Sequence, residues 1–459
     1  MHNSVSTTGE NPTAASGSHA VVTLPRAVGS LASTAIVVGT IIGSGVFLVP
    51  HNVALRVGSV RSLFLVWIVG GALSLAGALS LAELGAAIPE AGGVYVYLRE
   101  AYGKLVAFLY GWGMLLVMHS GSAATLAVAF GIYSSSFLPL TPVEQKLAAS
   151  AVIAIVTLIN ILGVRGGAAV QTLFTFAKLG GLAIIIGFAI FARHVVTATA
   201  SMPLPTPHTT LNSFGVALIG VLWAYEGWHM LSYSAGEVKN PSRVLPRSYL
   251  LGTLTVVVAY LAANAAYLRV LPLPALAQYQ KVAAEAMQRL AGPWGSAFVS
   301  GLILCSIFGA LNGTILTGPR AYFAMSRDRV FFDFAGRIDP KYMTPALAIL
   351  LQGAWSIVLA VSGSYEQLYT YVIFAGWLFY GAAAMAVVIL RRRRPELPRP
   401  YKVWGYPVVP VLFTLAALTI VINTLVSKPR ESAIGLAFVL TGIPVFFLWR
   451  KLKRAPIGN

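Results

Sequence analysis

Long runs of apolar residues alternate along this chain with short polar breaks. A run of about 20 apolar residues is long enough to cross the hydrocarbon core of a bilayer as an α-helix. The pattern therefore predicts an all-α integral membrane protein with twelve transmembrane helices. The predicted spans lie at about 28–56, 62–88, 102–137, 146–163, 168–192, 212–236, 248–270, 294–322, 345–362, 367–390, 405–427 and 432–450.

Composition and charge agree with a membrane location. Hydrophobic residues make up 57% of the chain, charged residues only 10%, and the mean hydropathy is +0.77. A net charge of +18 would suggest a nucleic-acid partner in a soluble protein. With the N-terminus inside, however, 22 of the 32 Lys and Arg residues fall in inner segments, nine in outer loops and one in a span.

This bias is the positive-inside pattern of a cell-membrane protein with both termini in the cytoplasm. It indicates contact with anionic lipid, above all through the run Arg391–Arg394, and no nucleic-acid partner.

Two of the predicted spans carry interruptions at matching places. Span one contains GTIIGSGVF (39–47) and span six contains WAYEGW (223–228). Each opens a set of five spans, and because five is odd, the second set enters the membrane from the opposite side. Paired interruptions in such inverted repeats are a pointer to a transporter binding site. The predicted divisions are a disordered cytoplasmic tail (1–25), repeat one (26–192), repeat two (193–390), a basic cytoplasmic loop (391–404), and spans eleven and twelve with a cytoplasmic C-terminus (405–459).

The first interruption suits an anion. Unwinding a helix exposes backbone N–H groups at the start of the next half-helix, and these attract negative charge. We expect Ile42, Gly43, Ser44 and Gly45 to contact the carboxylate of a zwitterion, with the Ser44 hydroxyl as an added donor. The alternative is close helix packing at Gly39 and Gly43, which are four residues apart.

The second interruption places a carboxyl group in the membrane. Glu226 lies about 14 residues into span six, or about 21 Å along a helix. An intramembrane carboxylate indicates function by default, here shaping the unwound segment or carrying a proton, although a structural pair is the alternative. We expect Trp223, Ala224, Tyr225 and Gly227 to join Glu226 at the site. Either Trp223 or Trp228 is a candidate to close the pocket, with aromatic packing as the alternative.

Lys178 is the second charged residue within a span. It lies about ten residues, or about 15 Å, into span five, where an ammonium group must find a partner or lose its proton. We predict a mechanistic role, a bridge from the unwound part of span one to span eight. The alternative is a static pair with Glu226 or with backbone carbonyls. Other polar residues within spans are weaker candidates for the pocket: Ser120, His229, His119 and Asn312.

The remaining chemistry argues against an enzyme. The seven histidines are dispersed and the single cysteine, Cys305, has no evident partner. Neither a nucleophile–base set nor a metal cluster is apparent, so we expect no cofactor and no metal. A non-transporting nutrient sensor would be expected to add a soluble domain, and the short connections leave no room for one.

These motifs together resemble the L-type branch of the amino acid–polyamine–organocation superfamily, in particular its bacterial members. The resemblance covers about residues 25–450. It rests on GTIIGSGVF, WAYEGW with GEVKNPSRVLPRS (236–248), AKLGG around Lys178, GPRAYFAMSRD (318–328) and PRPYKVWGYPVVP (398–410), in the family's order.

The resemblance implies a LeuT-type 5+5 inverted repeat with two extra C-terminal helices. It also implies sodium-independent transport of L-amino acids, most simply neutral ones, by alternating access and often by exchange. In that family Ser44 and Gly45 would bind the substrate carboxylate, and Trp223 would be the gating aromatic, its carbonyl and neighbouring carbonyls receiving the amino group. His229 would reach the substrate, and Lys178 would stand where a sodium-coupled carrier keeps its ion.

Two departures matter. Residues 138–145 lack the cysteine that links animal members to a heavy subunit, so no disulfide-linked partner is expected. Glu226 replaces a glycine of the animal branch, which leaves exchange and proton coupling both open. Alternatives are a proton-coupled permease, an exporter, or an antiporter of cationic amino acids or polyamines. An additional anionic group in the pocket would favour cationic substrates, but we expect Glu226 to be engaged with backbone.

Overall fold

The computed structural model describes residues 26, 28–90, 92–163, 167–192 and 208–452. The predicted tail 1–25 lies outside these residues. Within them the fold is helical, and the β structure is one isolated bridge between Val28 and Val238. The α-helices are α1 (Ser30–Ile41), α2 (Gly45–Ala54), α3 (Val60–Ala87), α4 (Val94–Tyr102), α5 (Lys104–Gly113), α6 (His119–Ser134), α7 (Pro142–Leu162), α8 (Gly167–Phe191), α9 (Leu211–Ala224), α10 (Pro241–Val270), α11 (Leu273–Leu276), α12 (Val282–Arg327), α13 (Ala346–Ser362), α14 (Tyr365–Arg393), α15 (Val408–Ser427), α16 (Pro429–Leu440) and α17 (Gly442–Leu452).

Ten helical segments of the described chain are long and apolar enough to cross a membrane, as judged by length and composition. They overlap ten of the predicted spans, most of them to within a few residues, but the segments Pro241–Val270 and Val282–Arg327 begin earlier than the predicted 248 and 294. The other two, spans six and nine, correspond to the shorter apolar helices Leu211–Ala224 and Ala346–Ser362. The all-α membrane class is therefore confirmed, whereas the number of crossings stays a prediction.

Span one is interrupted where its glycines allow it. Helix α1 ends at Ile41, Ile42 is extended (φ −73°, ψ 96°), and α2 begins at Gly45. The Ser44 hydroxyl stands at the N-cap of α2 but makes no capping hydrogen bond. Since serine at this position commonly caps its own helix, the hydroxyl is left for other partners.

Span six is interrupted at the predicted place as well. Helix α9 ends at Ala224, residues 225–229 form turns, and a 3₁₀ helix follows from Met230 to Glu237. Gly227 has φ +114°, a conformation that L side chains rarely adopt. The chain therefore leaves helical geometry directly after Glu226.

Three members of the predicted basic cluster Arg391–Arg394 also bond within the protein, and the contact of the cluster with anionic lipid stays a prediction. Arg391 donates two hydrogen bonds of 2.7 Å to the buried carboxylate of Glu83 on α3. Arg394 pairs with Glu100 and Glu396, and Arg393 donates to the Ala101 carbonyl. Successive residues of a helix point about 100° apart, so neighbouring arginines of this run reach different partners.

Candidate functional site

The two interruptions lie directly against each other. A Cβ on Gly45, at the start of α2, would overlap the backbone of Ala224 at the end of α9. A Cβ on Gly227 would lie 2.7 Å from the carbonyl oxygen of Thr40 near the end of α1. Each interruption thus has a glycine at the point where it contacts the backbone near the other interruption, because a larger residue would not fit there. The Thr40 hydroxyl also donates to the Gly227 carbonyl at 3.2 Å.

A tyrosine of α10 joins the carbonyl ends of both interrupted helices. The Tyr260 hydroxyl donates to the carbonyl of Ile41, the last residue of α1, at 3.1 Å. It also lies 3.0 Å from the carbonyl of Ala224, the last residue of α9. Such end carbonyls have no partner within their own helix, so one shared hydroxyl fixes the spacing of the two helix ends.

Residues of both interruptions line a single cavity, which encloses about 30 Å³. A water needs about 10–15 Å³ of such space, so the cavity is small and has room for a few water molecules. The lining residues are Thr40, Ile41, Gly43, Ser44, Gly45, Ser122, Leu126, Trp223, Glu226, Gly227, Met230 and Thr314.

Lys178 binds the first interruption. Its side chain is 5% exposed, and its ammonium donates to the carbonyls of Gly39 and Ile42, both at 2.8 Å. Both acceptors belong to span one, so the expected bridge to span eight is not among these bonds, and Glu226 is not its partner. Of the alternatives drawn from the sequence, the pair with backbone carbonyls is the one observed, and it supplies a positive charge where α1 unwinds.

Glu226 has a different environment from the one expected. One carboxylate oxygen accepts a 2.6 Å hydrogen bond from the Tyr380 hydroxyl of α14, rather than being engaged with backbone. The other oxygen, Oε2, is buried without a hydrogen-bond partner among the described residues, and Glu226 lines the cavity. The expectation of backbone engagement was wrong because a residue distant in sequence supplies the donor. A buried, half-satisfied carboxylate is costly unless a ligand completes it.

Trp223 and Trp228 have separate roles. Trp223 lines the cavity, stacks on Tyr369 with ring centroids 6.3 Å apart, and donates from its indole to the Tyr365 hydroxyl at 2.9 Å. Trp228 is absent from the lining and packs edge-on against Tyr380 and Phe413. Of the two tryptophans, Trp223 is therefore the one at the cavity, and its role in closing the pocket stays a prediction.

Several predicted site residues lie next to the cavity but do not line it. Ile42 and Ala224 act through their carbonyls, as acceptors for Lys178 and Tyr260. The Tyr225 ring packs on Trp67 and Tyr260. Ser120 and His229 are buried next to the site without lining it, and Ser122 lines it instead.

The weaker candidates from the sequence contact other side chains of the protein rather than the cavity. His229 lies 3.2 Å from the Tyr380 hydroxyl through Nε2 and 3.5 Å from Glu226 through Nδ1. His119 packs edge-on against Tyr233. Asn312 accepts a 2.8 Å hydrogen bond from Asn160 on α7, so it links two helices rather than lining the cavity.

Three tyrosines at this site could not be identified from the sequence. Tyr260, Tyr365 and Tyr380 come from α10 and α14, far from both interruptions along the chain. Tyrosine is common in membrane helices, and no spacing distinguishes these three. Thr40 and Ile41 were more accessible to sequence reasoning, because they immediately precede the first interruption.

Comparison with known proteins relates this sequence to a family. A family model described as amino acid permease matches residues 28–448. The b(0,+)-type amino acid transporter 1 of Mus musculus is 35% identical over 433 residues, covering 93% of this chain and 88% of the relative. The serine/threonine exchanger SteT of Bacillus subtilis is 33% identical, covering 94% and 98%. The cystine/glutamate transporter of Homo sapiens is 31% identical, covering 94% and 87%.

These similarities extend over nearly the whole chain. The resemblance inferred from five motifs is therefore confirmed. The relatives are transporters and exchangers rather than enzymes, which confirms the expectation drawn from the dispersed histidines and the lone cysteine.

Proposed function

This chain belongs to the amino acid permease family, and on that premise we propose that it exchanges L-amino acids across a membrane without sodium. The observation that carries the proposal is the single cavity lined by both helix interruptions. Unpaired N–H groups at the start of α2 attract a carboxylate, and carbonyls at the ends of α1 and α9 attract an ammonium group. Backbone groups alone can therefore bind both the carboxylate and the ammonium group of a zwitterion, without a charged side chain at either one.

Lys178 supports independence from sodium. An ammonium group already bonded to the carbonyls of Gly39 and Ile42 supplies the positive charge that a bound ion would provide. We propose that the chain crosses the membrane twelve times. The two interrupted spans would be the first spans of the repeats at 26–192 and 193–390. Both termini would be cytoplasmic, as the charge bias indicates, and no disulfide-linked subunit is proposed, since residues 138–145 lack cysteine.

The test is uptake of one labelled amino acid at a time into liposomes that contain the purified protein. We expect uptake to be faster when the liposomes are preloaded with an amino acid, and unchanged when potassium replaces sodium. Liposomes carrying Gly45→Leu, which obstructs the contact between the interruptions, provide the inactive control. Equal uptake into loaded and empty liposomes would contradict exchange, and uptake into empty liposomes driven by a pH gradient would establish a proton-coupled permease instead.

A second candidate function, transport of cationic amino acids, is favoured by one observation. The Oε2 atom of Glu226 is buried without a partner among the described residues, and its side chain lines the cavity. A cationic substrate side chain would satisfy it through a charge-assisted hydrogen bond. Glu226 lies beside the carbonyls proposed to receive the amino group, so a second positive charge on the substrate could be accommodated there.

Replacing Glu226 by Gln separates the two candidates. If cationic substrates are carried, Glu226→Gln reduces arginine uptake about 10-fold relative to serine uptake, because a charge-assisted bond contributes about 1.5–3 kcal/mol. The surface variant Glu285→Gln, which loses only an ion pair with Arg289, is the matched control. An equal reduction for both substrates would make Glu226 a structural residue.

A further inference from the structure

The hydroxyl of Tyr365 connects the first interruption to the closing aromatic. Tyr365 is the first residue of α14 and is 6% exposed. Its Oη atom lies 3.1 Å from the Ser44 Oγ atom and accepts the Trp223 indole N–H at 2.9 Å. Ser44 and Trp223 both line the cavity, so one hydroxyl touches the proposed carboxylate site and the residue that closes it.

The position of this hydroxyl is fixed by local structure. Ser364 caps α14 in a reciprocal capping box with Gln367, which sets where the helix begins and hence where Tyr365 stands. The neighbouring turn of α14 presents Tyr369, on which the Trp223 ring stacks. From α14, Trp223 is therefore held by stacking on Tyr369 and by an edge-on ring contact and a hydrogen bond with Tyr365.

The hydrogen bonds among Trp223, Tyr365 and Ser44 can be assigned a donor and an acceptor at each step. An indole N–H can only donate, so Trp223 donates to the Tyr365 oxygen. Tyr365 then has its own proton to give to the Ser44 oxygen, and Ser44 has one proton to give to a third group. The Ser44 hydroxyl does not cap α2, so a substrate carboxylate at the first interruption is the acceptor that completes the series.

We propose that Tyr365 is a positioning residue that couples the substrate carboxylate at Ser44 to the closed position of Trp223. Hydrogen bonds in series strengthen one another, so a bound carboxylate stabilises the bond between Tyr365 and Trp223. Without a carboxylate, the Ser44 proton turns back toward Tyr365 or finds no acceptor, and the closed position is weaker. This inference rests on the proposed function, because it presupposes that the carboxylate binds at residues 43–45.

The test compares an amino acid with its carboxamide, which lacks the negative charge, as competitors of uptake. In the unaltered protein the amino acid should bind more tightly than the amide. In Tyr365→Phe, which keeps the ring, we expect this preference to fall about 10-fold, with accelerated efflux into medium that contains no amino acid. Ser44→Ala should lower the same preference, and the double variant should add little to either single change.

Controls keep the outcomes distinct. Tyr267→Phe removes another buried tyrosine hydroxyl, one without a partner among the described residues, and should leave the preference unchanged. If Tyr365→Phe does not fold, Trp223→Phe removes the donor at the other end and must lower the same preference. Equal weakening of amino acid and amide, or additive effects of the Ser44 and Tyr365 changes, would overturn the coupling. Failure of the unaltered protein to bind any amino acid would instead overturn the proposed function.

Discussion

The two helix interruptions are built alike in backbone but oppositely in charge. Each contains a glycine in close contact with the backbone of the other interrupted span, Gly45 in the first and Gly227 in the second. At the first, the Lys178 ammonium donates to two carbonyls and has no place in the cavity lining. At the second, the Glu226 carboxylate lines the cavity and one of its oxygens has no partner within the described structure.

The difference separates a fixed charge from an available one. A buried charge that makes short hydrogen bonds to two carbonyls is satisfied locally and holds the backbone in place. A buried carboxylate with an oxygen left over can still gain a partner, so it can respond to the substrate. We infer that the first interruption provides the constant part of the site, and the second provides the part that distinguishes one substrate from another.

The largest expected effect comes from the contact between the interruptions. In Gly45→Ala the added methyl group would overlap the backbone of Ala224, which cannot move without displacing α9. Overpacking of this kind costs about 1–3 kcal/mol, so we expect exchange about 100-fold slower for every substrate. Gly180→Ala is the control, because a Cβ there meets nothing within 4 Å. Similar rates for the two variants would show that the interruptions need not touch.

A somewhat smaller loss is expected from Lys178→Met, which keeps the side-chain length and removes the charge. Two buried carbonyls lose their donor, and at about 1 kcal/mol for each unsatisfied group, the lower limit, the loss is about 2 kcal/mol. We expect uptake about 30-fold slower, with the order of preference among substrates unchanged. Lys146→Met, which removes a hydrogen bond to the Val361 carbonyl at an exposed position, is the control. A changed substrate preference in Lys178→Met would contradict the assignment of a fixed charge.

The smallest effect should come from Tyr380→Phe at the second interruption. The hydroxyl donates to one oxygen of Glu226. A hydrogen bond to a charged group contributes about 1.5–3 kcal/mol, but only the part that orients the carboxylate toward the substrate affects the preference among substrates. If cationic substrates are carried, we expect arginine uptake about threefold lower relative to serine, less than in Glu226→Gln. Tyr322→Phe, another buried tyrosine, is the control for loss of a hydroxyl. A general loss of all transport in Tyr380→Phe would mean that the tyrosine supports the fold rather than the preference.

The class of fold and the positions of the two interruptions could be predicted from the amino-acid sequence alone. Apolar runs of about 20 residues have few alternatives to a membrane helix, because an unpaired peptide group is costly in hydrocarbon. The glycines of residues 43–45 and the carboxyl group of Glu226 were visible because each violates the surrounding apolar pattern. These are local signals, and local signals can be read from one chain.

The hydrogen-bond partners of those residues, in contrast, depend on how the helices pack. Tyr260, Tyr365 and Tyr380 reach the site from helices 36 to 321 residues away along the chain. Their hydroxyls bind groups with which they share no spacing or pattern, and Arg391, Arg393 and Arg394 likewise reach different partners through the packing of α14. A hydrogen bond depends on distance and angle in space, and the sequence fixes neither until the helices have packed.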